Sequence, residues 1–154
     1  MALRIRGKTS CPLCELVIHE SDPVVCFPAF VSNELDPLYL FNDASFHHEC
    51  FANHPLAEEA GSRNEAISER TSPENRKCTA CGQLITEPDD YFCVYHLTDS
   101  PADALFQFNY LQLHRSCMAD WPLKNELESL LNELNSSGRW KGPALSYLLQ
   151  QLHA

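Results

Sequence analysis

The 154-residue sequence predicts an α+β fold: one unit used twice in tandem, each copy a Cys-x-x-Cys turn, a β-hairpin and a helix, with an extra C-terminal helix. Three observations carry this reading. Sliding the chain against itself by 67 positions aligns residues 11–56 with 78–123 without a gap and with 15 identities in 46 positions. Cys-x-x-Cys and His-x-x-Cys recur at the same interval in both copies. Leu127, Leu130, Leu131 and Leu134 follow the 3–4 spacing of a helix with one buried face. Self-similarity at a fixed period makes each copy one structural unit.

The elements follow in order. "CPLC" and "CTAC" are tight turns. "PVVCFPAF" and "DYFCVYHL", rich in β-branched and aromatic residues, are expected as strands. Loops with Pro, Asp and Ser lead to "LYLF" and "LFQF", expected as the second strands. His47-x-x-Cys50 and His114-x-x-Cys117 then open helices, which Pro55 and Pro122 interrupt or restart, since proline is tolerated at a first helical position. The expected divisions are a basic N-terminal arm at 1–10, repeat 1 at 11–60, a polar linker at 61–77, repeat 2 at 78–135 and a C-terminal capping helix at 136–154. "NSSG" at 135–138 ends the second repeat's helix.

Charge narrows the partners. The net charge is −10, and residues 11–56 carry seven acids without a Lys or Arg. Residues 78–123 carry six acids against Arg115 alone. Phosphate backbones call for a basic footprint, so nucleic acid is not the expected partner. No apolar run reaches the roughly 18 to 20 residues that span a bilayer, so no membrane role is expected. "MALRIRGKTS" has positive charge but no apolar stretch of a signal peptide behind it, which points to a cytoplasmic, reducing location. In that setting eight cysteines with matched histidines suggest metal binding more than disulfides.

Cys11, Cys14, His47 and Cys50 form one candidate ligand set, and Cys78, Cys81, His114 and Cys117 the other. A Cys-x-x-Cys turn lets two sulfurs converge on one ion. Residues three apart in a helix's first turn share a face and complete the tetrahedron. Three thiolates and one imidazole fill all four positions of zinc, the arrangement of a structural site, so two zinc ions per chain are expected. Cys26 and Cys93 lie mid-strand between apolar neighbours and are expected to be buried packing residues. His48 faces Arg115 across the repeat and is expected in solvent or beside the ligands. His19, His54, His96 and His153 have no histidine counterpart and are expected to serve packing or the surface.

The knuckles "CPLC" and "CTACG", with "HHEC" and "HRSC" on the following helices, resemble the treble-clef zinc-finger superfamily, whose LIM-like and HNH-like members share a knuckle, a hairpin and a helix. The resemblance covers residues 11 to about 60 and 78 to about 135. It departs from the pattern at Glu15, where Gly82 carries the usual glycine, and in its longer interval between ligand pairs. It implies a protein-binding module, a nucleic-acid binder or an HNH-type nuclease, because the fold alone does not choose among them. For a nuclease the residues to consider are Asn42, His47 and His48, but the second copy lacks His48.

Catalysis is therefore not expected. Counting each site as three thiolates against a dication adds one negative charge, so two sites take −10 to about −12. Such a surface steers basic partners. The expected function is a non-catalytic, acidic adaptor or inhibitor, with an immunity protein neutralising a basic toxin as its most concrete form. The alternatives are a purely structural zinc protein and an HNH-like or nucleic-acid-binding finger. The loop acids Glu34, Asp36, Asp43, Asp99 and Asp103 are the expected contact surface, and the C-terminal Leu145, Leu148, Leu149 and Leu152 stripe the competing one. Oligomeric state is not legible.

Overall fold

Each Cys-x-x-Cys segment closes on itself through backbone hydrogen bonds. The Cys11 amide donates to the Leu16 carbonyl and the Glu15 amide to Cys11 O, at 2.9 and 2.8 Å. The Cys78 amide donates to Gln83 O and that of Gly82 to Cys78 O at the same distances, 67 residues on. Single bridges, Ser10 to Val17 and Lys77 to Leu84, pin the two sides of each turn. Glu15 and Gly82 both hold positive φ, 62° and 74°. Only glycine adopts that conformation without cost, so Glu15 is strained where Gly82 is not.

The computed structural model describes residues 8–153, so Arg4 and Arg6 of the expected basic arm lie outside the described residues. The described chain is mixed: five α-helices and two two-stranded antiparallel sheets. It divides into two units, one holding the residues up to Val31 with Asp36–Ile67, the other Ser32–Leu35 with Ser68 onward.

In the first unit, β1 (Val24–Cys26) pairs with β2 (Ser45–His47), with Val24 opposite His47 and Cys26 opposite Ser45. The short helix α1 (His48–Ala52) follows directly. After Pro55, α2 (Ala57–Thr71) begins, so the stretch expected as a linker is helical through Thr71. The core is aromatic: Phe27, Phe41 and Phe46 are buried with Ile18 and Leu38, and Phe51 packs against them. Phe27 touches the rings of Phe30, Phe41, Phe46 and Phe51 at centroid distances of 5.1 to 6.3 Å. Each such burial contributes about 1.5–3 kcal/mol.

In the second unit, β3 (Tyr91–Cys93) pairs with β4 (Gln112–His114) in the same register, Tyr91 opposite His114 and Cys93 opposite Gln112. Helix α3 (Arg115–Met118) follows, then α4 (Lys124–Ser136), which ends at the "NSSG" stop, and α5 (Ala144–His153). Leu127, Leu131 and Leu134 of α4 and Leu145, Leu148 and Leu152 of α5 are buried in one core with Trp121 and Trp140. The α5 stripe is thus consumed by its own unit and is not a free docking face.

The segments expected as second strands are 3₁₀ helices, Pro37–Phe41 and Ala104–Phe108. Leu38 and Phe41, like Leu105 and Phe108, are buried three residues apart, the period at which a 3₁₀ helix eclipses its side chains. Asp36 and Asp103 cap them, accepting from the Leu38 and Leu105 amides at 2.8 and 3.0 Å. The real second strands are β2 and β4, immediately before the ligand-bearing helices.

One asparagine closes the loop before each 3₁₀ helix. Asn42 Oδ1 accepts from the Phe30 and Val31 amides at 3.0 and 2.9 Å, and its Nδ2 donates to Val31 O. Asn109 does the same to Leu97 and Thr98, at 2.7 and 3.3 Å, with Nδ2 on Thr98 O at 2.7 Å. Among the described residues no helix is long and apolar enough to cross a membrane.

Candidate metal centres

The strand-to-helix junction positions the second ligand pair. His47 ends β2 and caps α1, and His114 ends β4 and caps α3, so Cys50 and Cys117 sit one helical turn further on. The knuckle supplies the other pair. Cys11, Cys14, His47 and Cys50 bring one ligand atom each to within 4.8 Å of one another, and Cys78, Cys81, His114 and Cys117 do the same. All eight residues singled out by spacing fall into these two clusters. All eight cysteines of the chain are free thiols.

In both clusters the imidazole turns Nδ1 to the thiols. Cys14 Sγ lies 3.3 Å from His47 Nδ1, and Cys81 Sγ and Cys117 Sγ lie 3.4 and 3.9 Å from His114 Nδ1. A tetrahedral ion with metal–sulfur bonds of about 2.3 Å and metal–nitrogen bonds of about 2.1 Å has edges of about 3.5 to 3.8 Å. The donor set and its spacing fit two metal ions, one per cluster.

The thiols also divide electrostatically. Burial opposes ionisation of Cys11, but the amides of Leu13, Cys14 and His47 outweigh it and bring the thiol down to about 6. Cys78 behaves alike: burial opposes, and the amides of His114, Cys81 and Ala80 bring it to about 6. Cys50 is pushed up to about 11 by its hydrogen bond with Cys14 and by burial. Cys117 is pushed up to about 11 by burial and by Cys81 and Cys78. Three thiols crowded together cannot all ionise alone, and a dication removes that conflict.

The remaining candidates take other places. Cys93 is half-buried, donates to Val94 O at 3.4 Å, and its thiol is pushed up by desolvation. Cys26 is exposed, with Sγ 3.2 Å from Ser45 Oγ, which corrects the expectation of burial. It is the last residue of β1. His48 is exposed, and its counterpart Arg115 donates to Gln151 Oε1 at 2.6 Å. His54 packs edge-on against Phe41, His96 stacks on Tyr110, and His153 meets Glu128 at 3.5 Å.

The loop acids are mostly engaged. Asp36 meets Arg63 at 2.6 Å, Asp103 meets Arg139 at 2.7 Å, Glu34 meets Lys141 at 3.3 Å and Asp99 meets His96 at 2.9 Å. Four of the five acids of the expected contact surface thus have an ion-pair partner within their own unit.

Beside the first cluster an open, mainly apolar cleft of about 430 Å³ is rimmed by Leu16, Pro23, Asp22, His48 and Glu49. Leu16 is 67% exposed there. Sequence reasoning did not single out Asp22, whose carboxylate stands 3.4 Å from His47 Nε2. No family model matches the chain, and no curated protein or solved structure matches it.

Proposed function

We propose that the chain is a non-catalytic zinc-binding interaction module, two treble-clef-like copies derived by tandem duplication, that presents an acidic surface to a basic protein partner. An immunity protein neutralising a basic toxin is the most concrete form of this reading. The observation that carries it is the convergence of three thiols and one imidazole in each of two clusters whose residues differ by 67 throughout. Such a set fills zinc's four positions and leaves none for water or substrate, which supports a structural and not a catalytic ion. The recurrence of the knuckle hydrogen bonds, the strand register and the asparagine clasp at the same offset supports the duplication.

The partner reading rests on charge. The stretch 11–56 has no Lys or Arg. With the loop acids engaged, Glu15 and Glu49, both exposed near the first cluster, and the apolar Leu16 beside them are the better contact residues. The nuclease alternative gains nothing from Asn42, whose carboxamide closes the Phe30–Val31 loop.

The test is capture of a partner on the zinc-loaded chain, followed by its association rate at several salt concentrations. Glu15→Lys with Glu49→Lys should slow association about tenfold at low salt, leave zinc content unchanged and remove most of the salt dependence. An association rate indifferent to both would overturn the acidic-surface reading. Failure to capture any partner would favour the purely structural alternative.

A further inference from the structure

The two clusters match in ligands but differ behind the histidine. In the first unit, Asp22 is fixed by a turn: its Oδ2 accepts from the His19 amide at 2.6 Å while its own amide donates to His19 O at 3.2 Å. That turn sets the same Oδ2 3.4 Å from His47 Nε2, on the side of the ring opposite the thiols. In the second unit, Pro88 stands where Ser21 stands in the first, and Pro88–Asp90 form a 3₁₀ turn. Asp89, the counterpart of Asp22, is exposed. Asp90 accepts instead from the Ser116 amide and hydroxyl at 2.8 and 3.0 Å, holding the start of α3. No described carboxylate comes within ion-pair distance of His114. The thiols differ as well, because Cys81 is exposed and its counterpart Cys14 is half-buried.

A ligating imidazole whose distal N–H meets a carboxylate is held in one tautomer and one ring orientation, and it donates more strongly to the metal. We propose that Asp22 is the positioning residue of the first metal centre and makes the two centres unequal, the first retaining its ion while the second releases first. This rests on the reading of both clusters as zinc sites. Asp22 reaches the ion through His47 alone, so its effect should vanish when that imidazole is absent.

The experiment uses the full chain loaded with Zn²⁺ and challenged with graded chelator, with released Zn²⁺ read by a metal indicator and each phase assigned to its centre by variants that lack the other. Release should come in two phases, the slower abolished by Cys14→Ser and the faster by Cys81→Ser. Asp22→Asn, which keeps an oxygen for the His19 amide, should weaken the first centre about 10- to 100-fold and leave the second unchanged. Asp89→Asn should change neither. In a His47→Cys background, where the first centre has four thiolates, Asp22→Asn should have no effect on affinity. A merely structural Asp22 would keep its effect there, and that result would overturn the proposal. Equal release from both centres, with Asp22→Asn shifting neither, would overturn it too while leaving the zinc reading intact. A chain that binds no metal would overturn both.

Discussion

The carboxylate of Asp36 stands 2.6 Å from the guanidinium of Arg63, and both side chains are nearly buried, at 11% and 13% exposure. The same carboxylate caps the 3₁₀ helix through its other oxygen. Asp36 is therefore a structural acid of the first unit. Asp36→Lys should lower stability by about 2–4 kcal/mol, combining a lost cap with a cation set against the mostly buried Arg63, which keeps only its more exposed pair with Glu59 at 3.0 Å among the ion pairs described. Asp103→Lys should cost less, about 1–2 kcal/mol, because Arg139 is 49% exposed. Chemical denaturation of the metal-loaded proteins decides this, and an unchanged midpoint for the Asp36 variant would contradict it.

Glu15 and Gly82 share a left-handed backbone that suits only glycine. Glu15→Gly should stabilise the first unit by up to about 1 kcal/mol, less whatever glycine gains in the unfolded chain. Gly82→Ala should destabilise the second by about 1 kcal/mol through conformation alone, since nothing lies within 4 Å of an added Cβ. A destabilised Glu15→Gly variant, or an unchanged midpoint for Gly82→Ala, would contradict the assignment of strain.

Cys26 and Cys93 occupy matching strand positions but differ in exposure, Cys26 being exposed and Cys93 half-buried. On the native, metal-loaded chain an alkylating reagent should modify Cys26 at the rate of an accessible thiol and Cys93 on the order of 100-fold more slowly. Peptide mapping after timed quenching reads both. Protection of Cys26 equal to that of Cys93 would contradict the exposed end of β1.

The raised thiols set a pH dependence for metal uptake. Cys50 and Cys117, at about 11, carry protons at neutral pH, and the ion must displace them. Cys11 and Cys78, at about 6, are already largely ionised there. Apparent affinity at each centre should therefore rise at least about tenfold per pH unit between about pH 7 and 9, and fall on acidification. Competition against a chelator of known proton dependence gives the slope. A flat profile would contradict the protonation assignment.

The ligand sets were legible because metal chemistry fixes residue type and spacing locally: His47 with Cys50 and His114 with Cys117 need only one helical turn. The 67-residue offset was legible because no insertion interrupts the alignment of residues 11–56 with 78–123. "LYLF" misled because β propensity competes with a cap. Asp36 and Pro37 start a 3₁₀ turn, and the three-residue spacing of Leu38 and Phe41 was the available signal. The Asp36–Arg63 pair was not legible because Arg63 comes from a polar stretch with no apolar periodicity, which α2 nevertheless makes helical. Exposure of Cys26 depends on where β1 ends, a detail settled by its pairing with Ser45.

Each Cys₃His cluster is proposed to hold one zinc ion, and metal content measures this most directly. Native mass spectrometry with elemental analysis, on protein purified without chelator, should find two zinc ions per chain and no disulfides. Cys14→Ser should retain one ion and lose the fold of the first unit selectively, because structural zinc contributes on the order of 10 kcal/mol to small metal-bound units. A chain that is folded with no bound metal, or with its cysteines oxidised in pairs, would contradict the account.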